Sequence, residues 1–282
     1  MKTFPCAKIN LGLYITERRP DGYHNLQTVF YPIPLCDELE VYPSADDRFS
    51  VCGPALANTG VEVADSQDAL FTDNLVMRVI RLLREEPLDV PPVSVRLTKN
   101  IPFGAGLGGG SSDAAAMMKM LNTLFGLGLT EEDMEQRLVR LGADCPFFVR
   151  QRPVLSTGIG DRFTPIDLDL SGLWILLVKP DEAVSTRKAY QGVTPCQPAF
   201  PLSESIARPI REWQQFVSND FERTVFPHHP GLSTIKQQLI ESGAIYAAMS
   251  GSGSSLFGLF DHRPDEATLH AFAPNFVFSA RL

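Results

Sequence analysis

The chain has 282 residues, 44% hydrophobic and 21% charged, enough to bury real cores as one large or two modest domains. Its formal net charge of -8 argues against a general nucleic-acid binder, which would show a basic face. Five widely spaced cysteines (Cys6, Cys36, Cys52, Cys145, Cys196) form no C-x-x-C or His/Cys cluster, so the expectation is reduced cytoplasmic thiols without zinc or a disulfide framework. No signal-peptide pattern opens the chain, and its longest apolar run, Leu173 to Val178, is too short to span a bilayer.

Residues 4 to 15 read as a strand in which Lys8, Asn10 and Gly12 share one side and Ile9, Leu11 and Leu13 the other. A lysine and an asparagine in register within an apolar strand are unusual; an exposed edge face is the competing account. Pro20-Asp21-Gly22 is a turn signal, because proline presets φ and glycine supplies φ > 0. A second strand over residues 24 to 32 follows, and Tyr23 and His24 would form a packing pair beside that turn. Glu38 to Tyr42 is a further strand, and the polar stretch after it is uninformative. Thr72-Asp73-Asn74-Leu75 begins a helix to about Leu83, with Asp73 as its cap and Asn74 at its start. Val93 to Lys99 alternates apolar and polar residues like a half-buried strand, with Lys99 at its end.

The next stretch, Pro102-Phe103-Gly104-Ala105-Gly106-Leu107-Gly108-Gly109-Gly110-Ser111-Ser112-Asp113, runs into a helix from Ala114 to Phe125. Strand, glycine loop and helix start together suit a phosphate site; a flexible or tightly turned connection with no ligand is the competing account. The loop backbone can approach a ligand closely, and the first helical turn offers unpaired N–H groups and the positive dipole end. Ser111 and Ser112 can cap that turn or donate to phosphate oxygens. Gly104-x-Gly106-x-x-Gly109 fits the dinucleotide fingerprint, but the acidic residue expected about 20 positions on is missing. No lysine follows the glycines as a Walker loop requires, and neither H-R-D nor D-F-G occurs.

Thr130-Glu131-Glu132-Asp133 resembles a capping box and starts a helix to Leu141, closed by Gly142. Asp144 then precedes Cys145-Pro146, where a carboxylate can cap a short helix. Gly158 to Asp161 is a turn between strands, and Leu173 to Val178 a buried strand. A helix begins near Thr186, its expected cap, and carries Tyr190; residues 192 to 205 are a loop and 208 to 217 helical. Asn219 opens another helix, and residues 233 to 242 form one more. Adjacent His228 and His229 lack metal-ligand spacing. Ser250-Gly251-Ser252-Gly253-Ser254-Ser255 is a second glycine/serine loop, or a β-turn with a bulge, between two strand-like segments.

Pro102-x-Gly-x-Gly-Leu-Gly-Gly-Gly-Ser-Ser-Asp-Ala-Ala resembles the ATP-phosphate loop of the GHMP kinases, a family of small-molecule kinases. Ala7-Lys8-Ile9-Asn10-Leu11, then Arg19-Pro20-Asp21-Gly22-Tyr23-His24, and Leu141-Gly142-Ala143-Asp144-Cys145-Pro146-x-Phe148 resemble motifs of the branch whose acceptor is a cytidylyl diphosphate alcohol. The resemblance implies an α+β, two-domain GHMP kinase fold: an S5-like, ATP-binding domain over 1–155 and a ferredoxin-like C-terminal GHMP kinase domain over 156–282. It implies that residues 102 to 112 bind the ATP phosphates, with Asn74 and Lys99 near the nucleotide. Lys8 and Asp144 become the catalytic pair, Asp144 as base, with Asn10 beside Lys8. Asn10, Tyr23, His24, Thr186 and Tyr190 take the acceptor, its cytosine between the two tyrosines, one from each domain. The 250–255 loop would close over the phosphates. ATP is the co-substrate, Mg²⁺ arrives with it, and Cys145 sits at a variable position as a buried thiol. The further implications are a cytoplasmic monomer or weak homodimer without nucleic-acid or membrane partners, and no nameable protein metal ligand. Two rivals stay open: a GHMP kinase for mevalonate, homoserine or a sugar, and a non-catalytic nucleotide module or dinucleotide oxidoreductase.

Overall fold

The computed structural model describes residues 1–56 and 73–282; the expected helix start at Thr72 and most of the polar stretch before it lie outside them. Two compact units emerge. Unit one comprises Met1–Ala7, Leu35–Phe103 and Gly108–Gln151, and unit two Lys8–Pro34, Gly104–Leu107 and Arg152–Leu282.

In unit one, β1 (Lys2–Thr3), β4 (Glu38–Pro43), β6 (Val93–Thr98) and β5 (Arg48–Cys52) form a sheet in that spatial order. β4 pairs antiparallel with β6 and β5 pairs parallel with it. Val93, Val95 and Leu97 are buried while Arg96 is exposed, the period-two pattern of a strand with one covered face. Helix α1 (Leu75–Arg84) buries Val76, Val79, Ile80 and Leu83 on one stripe and packs on α2 (Gly109–Phe125). Its cap is Asn74, whose side chain accepts from Val76 N at 2.9 Å, one residue later than the expected Asp73. Alanines and methionines line the buried side of α2, and Gly126 ends it in the left-handed conformation.

Helix α3 (Glu131–Leu138) has the expected capping box between Thr130 and Asp133. It stops at Leu138, because Arg140 N and Leu141 N bond three residues back and tighten the chain into turns. The short α4 (Phe147–Arg150) follows the Asp144 turn.

One expectation is overturned. Cys6, which opens β2 (Cys6–Arg18), is disulfide-bonded to Cys36, which closes β3 (His24–Cys36), whereas all five cysteines had been expected reduced. The two strands are sheet neighbours joined by a tight turn, which brings the far ends of the hairpin together.

In unit two, β2, β3, β7 (Val154–Thr157) and β8 (Arg162–Pro165) form one sheet. The turn of the first hairpin is closed by Gly22 N to Arg19 O and Arg19 N to Tyr23 O, with Asp21 accepting from Tyr23 N at 3.1 Å. A second, fully antiparallel sheet has the order β10 (Tyr246–Met249), β11 (Leu256–Phe260), β9 (Trp174–Lys179), β12 (Phe276–Arg281). Numbered by its own strands this order is 2-3-1-4, the ferredoxin-like arrangement. Helices α5 (Thr186–Gly192), α8 (Asp220–Val225) and α9 (Pro230–Glu241) contribute to unit two, whose core includes Ile15, Val178, Phe221, Leu239, Met249 and Phe260.

Three details differ from expectation. Ser185, not Thr186, caps α5. The 192–205 segment ends in helix α6 (Leu202–Ile206). The helix expected from Arg208 starts only after Pro209, as a 3₁₀ turn Ile210–Glu212 and then α7 (Trp213–Phe216), because the residue before proline is driven out of the helical region.

Candidate functional site

The glycine loop is anchored by its carbonyl oxygens. In unit two, Ala105 O accepts from Ser255 N at 3.3 Å and Leu107 O from Lys8 N at 2.9 Å. Gly106 O accepts from Lys8 Nζ at 3.1 Å and from Ser250 Oγ at 2.9 Å. In a trans peptide the next N–H points opposite to the carbonyl. The N–H groups of Gly106, Leu107 and Gly108 are therefore turned away from the residues that hold the loop, and form a run of donors suited to an anion. Gly106 sits at φ +73°, and a Cβ there would run into the Ser250 carbonyl, so only glycine fits.

In unit one the loop continues into α2. Gly108 is the N-cap in a left-handed conformation, and no side chain caps the helix. The first-turn N–H groups of Gly109, Gly110 and Ser111 are thus left to a ligand by the helix itself. Ser112 is fully buried and donates its hydroxyl to Cys6 O at 2.7 Å, so its visible role is to pin the helix start. Phe103, 49% exposed, presents its ring at the loop entrance.

Both faces of β2 are covered, so the exposed-edge account of Lys8 and Asn10 does not hold: each is 3% exposed. Lys8 Nζ donates to Asn10 Oδ1 at 2.6 Å as well as to Gly106 O, and lies 4.7 Å from the Phe30 ring centroid. Asn10 Nδ2 donates to Thr28 Oγ1 at 2.9 Å, and Asn10 N donates to Ser250 Oγ at 3.2 Å. Ser250 belongs to the second glycine/serine loop, between β10 and β11. That loop is shaped by buried Asn219, which caps α8 and donates to Met249 O at 2.7 Å and Gly251 O at 2.8 Å.

Lys99, expected beside the nucleotide, is 2% exposed. Its ammonium bonds Asp37 Oδ2 and, at 2.7 Å, Asp113 Oδ2, and lies 5.4 Å from the Phe103 ring centroid. Asp37 also accepts from Asn100 N at 2.6 Å and Ile101 N at 2.8 Å, which bends the chain into the loop. Burial lowers the Lys99 pKa, but the Asp113 and Asp37 carboxylates outweigh it and leave the ammonium above its ordinary range. Burial pushes Asp113 up to about 7 against the pull of Lys99, and Asp113 Oδ1 has no hydrogen-bond partner.

Asp144, also in unit one, stands in the turn before α4. The N-cap of α4 is Pro146, which makes no side-chain cap bond. Cys145 is fully buried, its thiol pushed up to about 11 chiefly by burial.

The residues expected on the acceptor all lie in unit two. Tyr23 is 62% exposed. His24 stacks on Tyr190 with centroids 5.2 Å apart, and Tyr190 meets Phe221 edge-on at 4.8 Å. Burial, and secondarily Arg18, lower the His24 pKa. Thr186 Oγ1 lies 2.8 Å from Ser252 Oγ of the second glycine/serine loop. Tyr23 and Tyr190 both fall within unit two. Sequence reasoning missed the roles of Asp37, Thr28 and Asn219, and named Asp113 and Ser250 only as members of their glycine loops. Asp113 carried a further signal, a carboxylate among the alanines of the loop helix.

Two family models match the chain, GHMP kinases N terminal domain over residues 74–152 and GHMP kinases C terminal over 202–277. A curated protein of Bacteroides fragilis, named 4-diphosphocytidyl-2-C-methyl-D-erythritol kinase, is 50% identical over 100% of both chains. The chain belongs to the GHMP kinases. Its fold is accordingly the two-domain GHMP kinase fold, and it is a small-molecule kinase that uses ATP. Among solved structures, this GHMP kinase is similar to a 4-(cytidine 5'-diphospho)-2C-methyl-D-erythritol kinase, with a TM-score of 0.81 and 30% identity over 99% of this chain and 98% of the other. A Methanococcus jannaschii mevalonate kinase matches with a TM-score of 0.70 but 13% identity over 100% and 98% of the two chains, which shows the fold alone. Among the described residues of this GHMP kinase no group of three or more His, Cys, Asp or Glu side chains could hold a metal ion, and no helix is long and apolar enough to cross a membrane.

Proposed function

We propose that this GHMP kinase transfers the γ-phosphoryl of ATP to a hydroxyl of 4-diphosphocytidyl-2-C-methyl-D-erythritol, a step of non-mevalonate isoprenoid precursor synthesis. One observation carries the phosphoryl-transfer reading: the buried Lys8 ammonium is bonded to the carbonyl of Gly106, inside the loop whose N–H groups face outward. Phosphoryl transfer depends mainly on positioning and charge stabilisation, and a cation fixed on the phosphate loop supplies both. The acceptor is supported by the full-length relatives of that name and by the Asp21-Gly22-Tyr23-His24 turn.

In this reading the loop residues Pro102 to Ser112 hold the triphosphate, with Asn74 and Lys99 on the nucleotide side. Mg²⁺ enters as part of MgATP, carried by the phosphates. Asp144 takes the proton of the acceptor hydroxyl as its oxygen bonds the γ-phosphorus, and ADP leaves with the electron pair of the broken P–O bond. Lys8, aimed by Asn10, offsets negative charge developing on the transferred group. Asn10, Tyr23, His24, Thr186 and Tyr190 bind the cytidylyl acceptor, aromatic faces supplying affinity and the His24 edge selectivity for cytosine. We keep 1–155 as the ATP-binding sequence domain and 156–282 as the C-terminal domain, in a cytoplasmic protein that is a monomer or weak homodimer.

The test is ADP release from MgATP on adding the cytidylyl diphosphate alcohol, mevalonate or homoserine. Turnover with the first alone is expected. Turnover with mevalonate or homoserine instead would move the protein to another GHMP branch, and ADP release with none of them would make it a non-catalytic nucleotide module.

A further inference from the structure

Thr28, in β3, is 1% exposed and has one hydroxyl proton to give. That proton goes to Gly12 O at 2.6 Å. Gly12 lies within β2 at φ +70°, where a Cβ would meet Leu202 Cδ1 at 2.7 Å. With its proton committed, Thr28 Oγ1 can only accept from its other neighbour, Asn10, at 2.9 Å.

An amide side chain has a donating end and an accepting end. Since Thr28 accepts, the Asn10 nitrogen must face it, which leaves Asn10 Oδ1 facing the Lys8 ammonium at 2.6 Å. The opposite flip would set an NH₂ against an NH₃⁺ and an oxygen against a hydroxyl without a proton, unfavourable at both ends in a dry site. The order of donation therefore runs from Thr28 to Gly12 and from Asn10 to Thr28, and this order is what turns an acceptor toward Lys8.

We propose that Thr28 is a positioning residue for phosphoryl transfer: acting through the Asn10 amide, it fixes the direction in which the Lys8 ammonium rests on the Gly106 carbonyl. The inference rests on the reading of Lys8 as the residue that stabilises the transferred group. Thr28 touches neither nucleotide nor acceptor, so its loss acts on the rate rather than on ATP binding.

The experiment compares Thr28→Val, Thr28→Ala and Thr28→Ser with wild type and Lys8→Met, with kcat normalised to ATP-binding sites counted by titration so that misfolded protein drops out. Misplacing a reacting group by about 1 Å can cost about 10²-fold in rate. The expected result is a kcat loss of at least about tenfold in Thr28→Val and Thr28→Ala, with the KM for ATP within about twofold of wild type. Thr28→Ser, which keeps the hydroxyl, returns kcat to near wild type, and Thr28→Val adds little further loss in a Lys8→Met background because the two act as one unit. If Lys8→Met is inactive while Thr28→Val or Thr28→Ala turns over normally per ATP site, this inference is overturned and the role of Lys8 stands. An equal loss in Thr28→Ser also overturns it. An active Lys8→Met removes the reading beneath it. The alanine variant carries the test if the valine variant fails to fold.

Discussion

Two lysines of this GHMP kinase are buried to nearly the same depth and held in different ways. Lys99 lies between the carboxylates of Asp37 and Asp113, and the other Asp37 oxygen accepts from the backbone at Asn100 and Ile101. Lys8 is held by a side-chain amide oxygen and by a carbonyl of the phosphate loop. Two carboxylates tie an ammonium into the architecture, and the loop entrance is bent around that tie. An amide and a peptide oxygen orient an ammonium while each carries only partial charge against it. Burial alone says nothing about a lysine's role; the chemistry of its partners does.

The largest effect falls on the chemistry. Asp144→Asn should lower kcat by about 10²–10⁴-fold, the usual worth of a positioned general base, with ATP still bound. ADP release and ATP titration on the same sample measure both, and near-native kcat would withdraw the assignment. On the architectural side, Lys99→Met leaves two buried carboxylates without their cation, so denaturant unfolding should show a loss of about 3–5 kcal/mol. A loss below 1 kcal/mol would break the contrast drawn between the lysines.

A smaller effect depends on pH. Asp113 holds its proton more tightly in the folded chain, at about 7, than its ordinary 3.8. That proton favours folding fully at low pH, and its contribution is lost as pH rises through about 7. The unfolding midpoint of wild type should therefore fall more between pH 5 and pH 8 than that of Asp113→Asn, in which nothing titrates at this position. Equal falls would remove the buried carboxyl from the account. The smallest effect belongs to the acceptor side. Tyr190→Ala removes a stacked and an edge-on pair, each worth about 0.5–1.5 kcal/mol. It should raise the acceptor KM several-fold with ATP binding unchanged; a native acceptor KM would leave the ring as packing only.

The phosphate loop was legible in sequence because its demands are local: glycines for the backbone, a helix start for the dipole. Lys8 and Asn10 were legible as polar residues out of place in an apolar strand. What was not legible depends on distant partners. Ser250 looks like an ordinary turn serine until the chain brings it to Asn10, 240 residues away. Thr28 is a common strand residue whose meaning lies in a bond to Gly12, and Asn219 a common helix cap that also shapes a loop. The Cys6–Cys36 bond joins residues 30 apart with no spacing rule to announce it. The split helix after Pro209 was legible and should have been expected.

The contrast between the lysines rests most directly on the rate of ADP formation by Lys8→Met at saturating MgATP and cytidylyl acceptor. The account predicts a protein that unfolds near the wild-type midpoint, binds ATP, and has lost nearly all turnover. Wild-type turnover by that variant would contradict it, and would leave the buried cation on the phosphate loop as architecture.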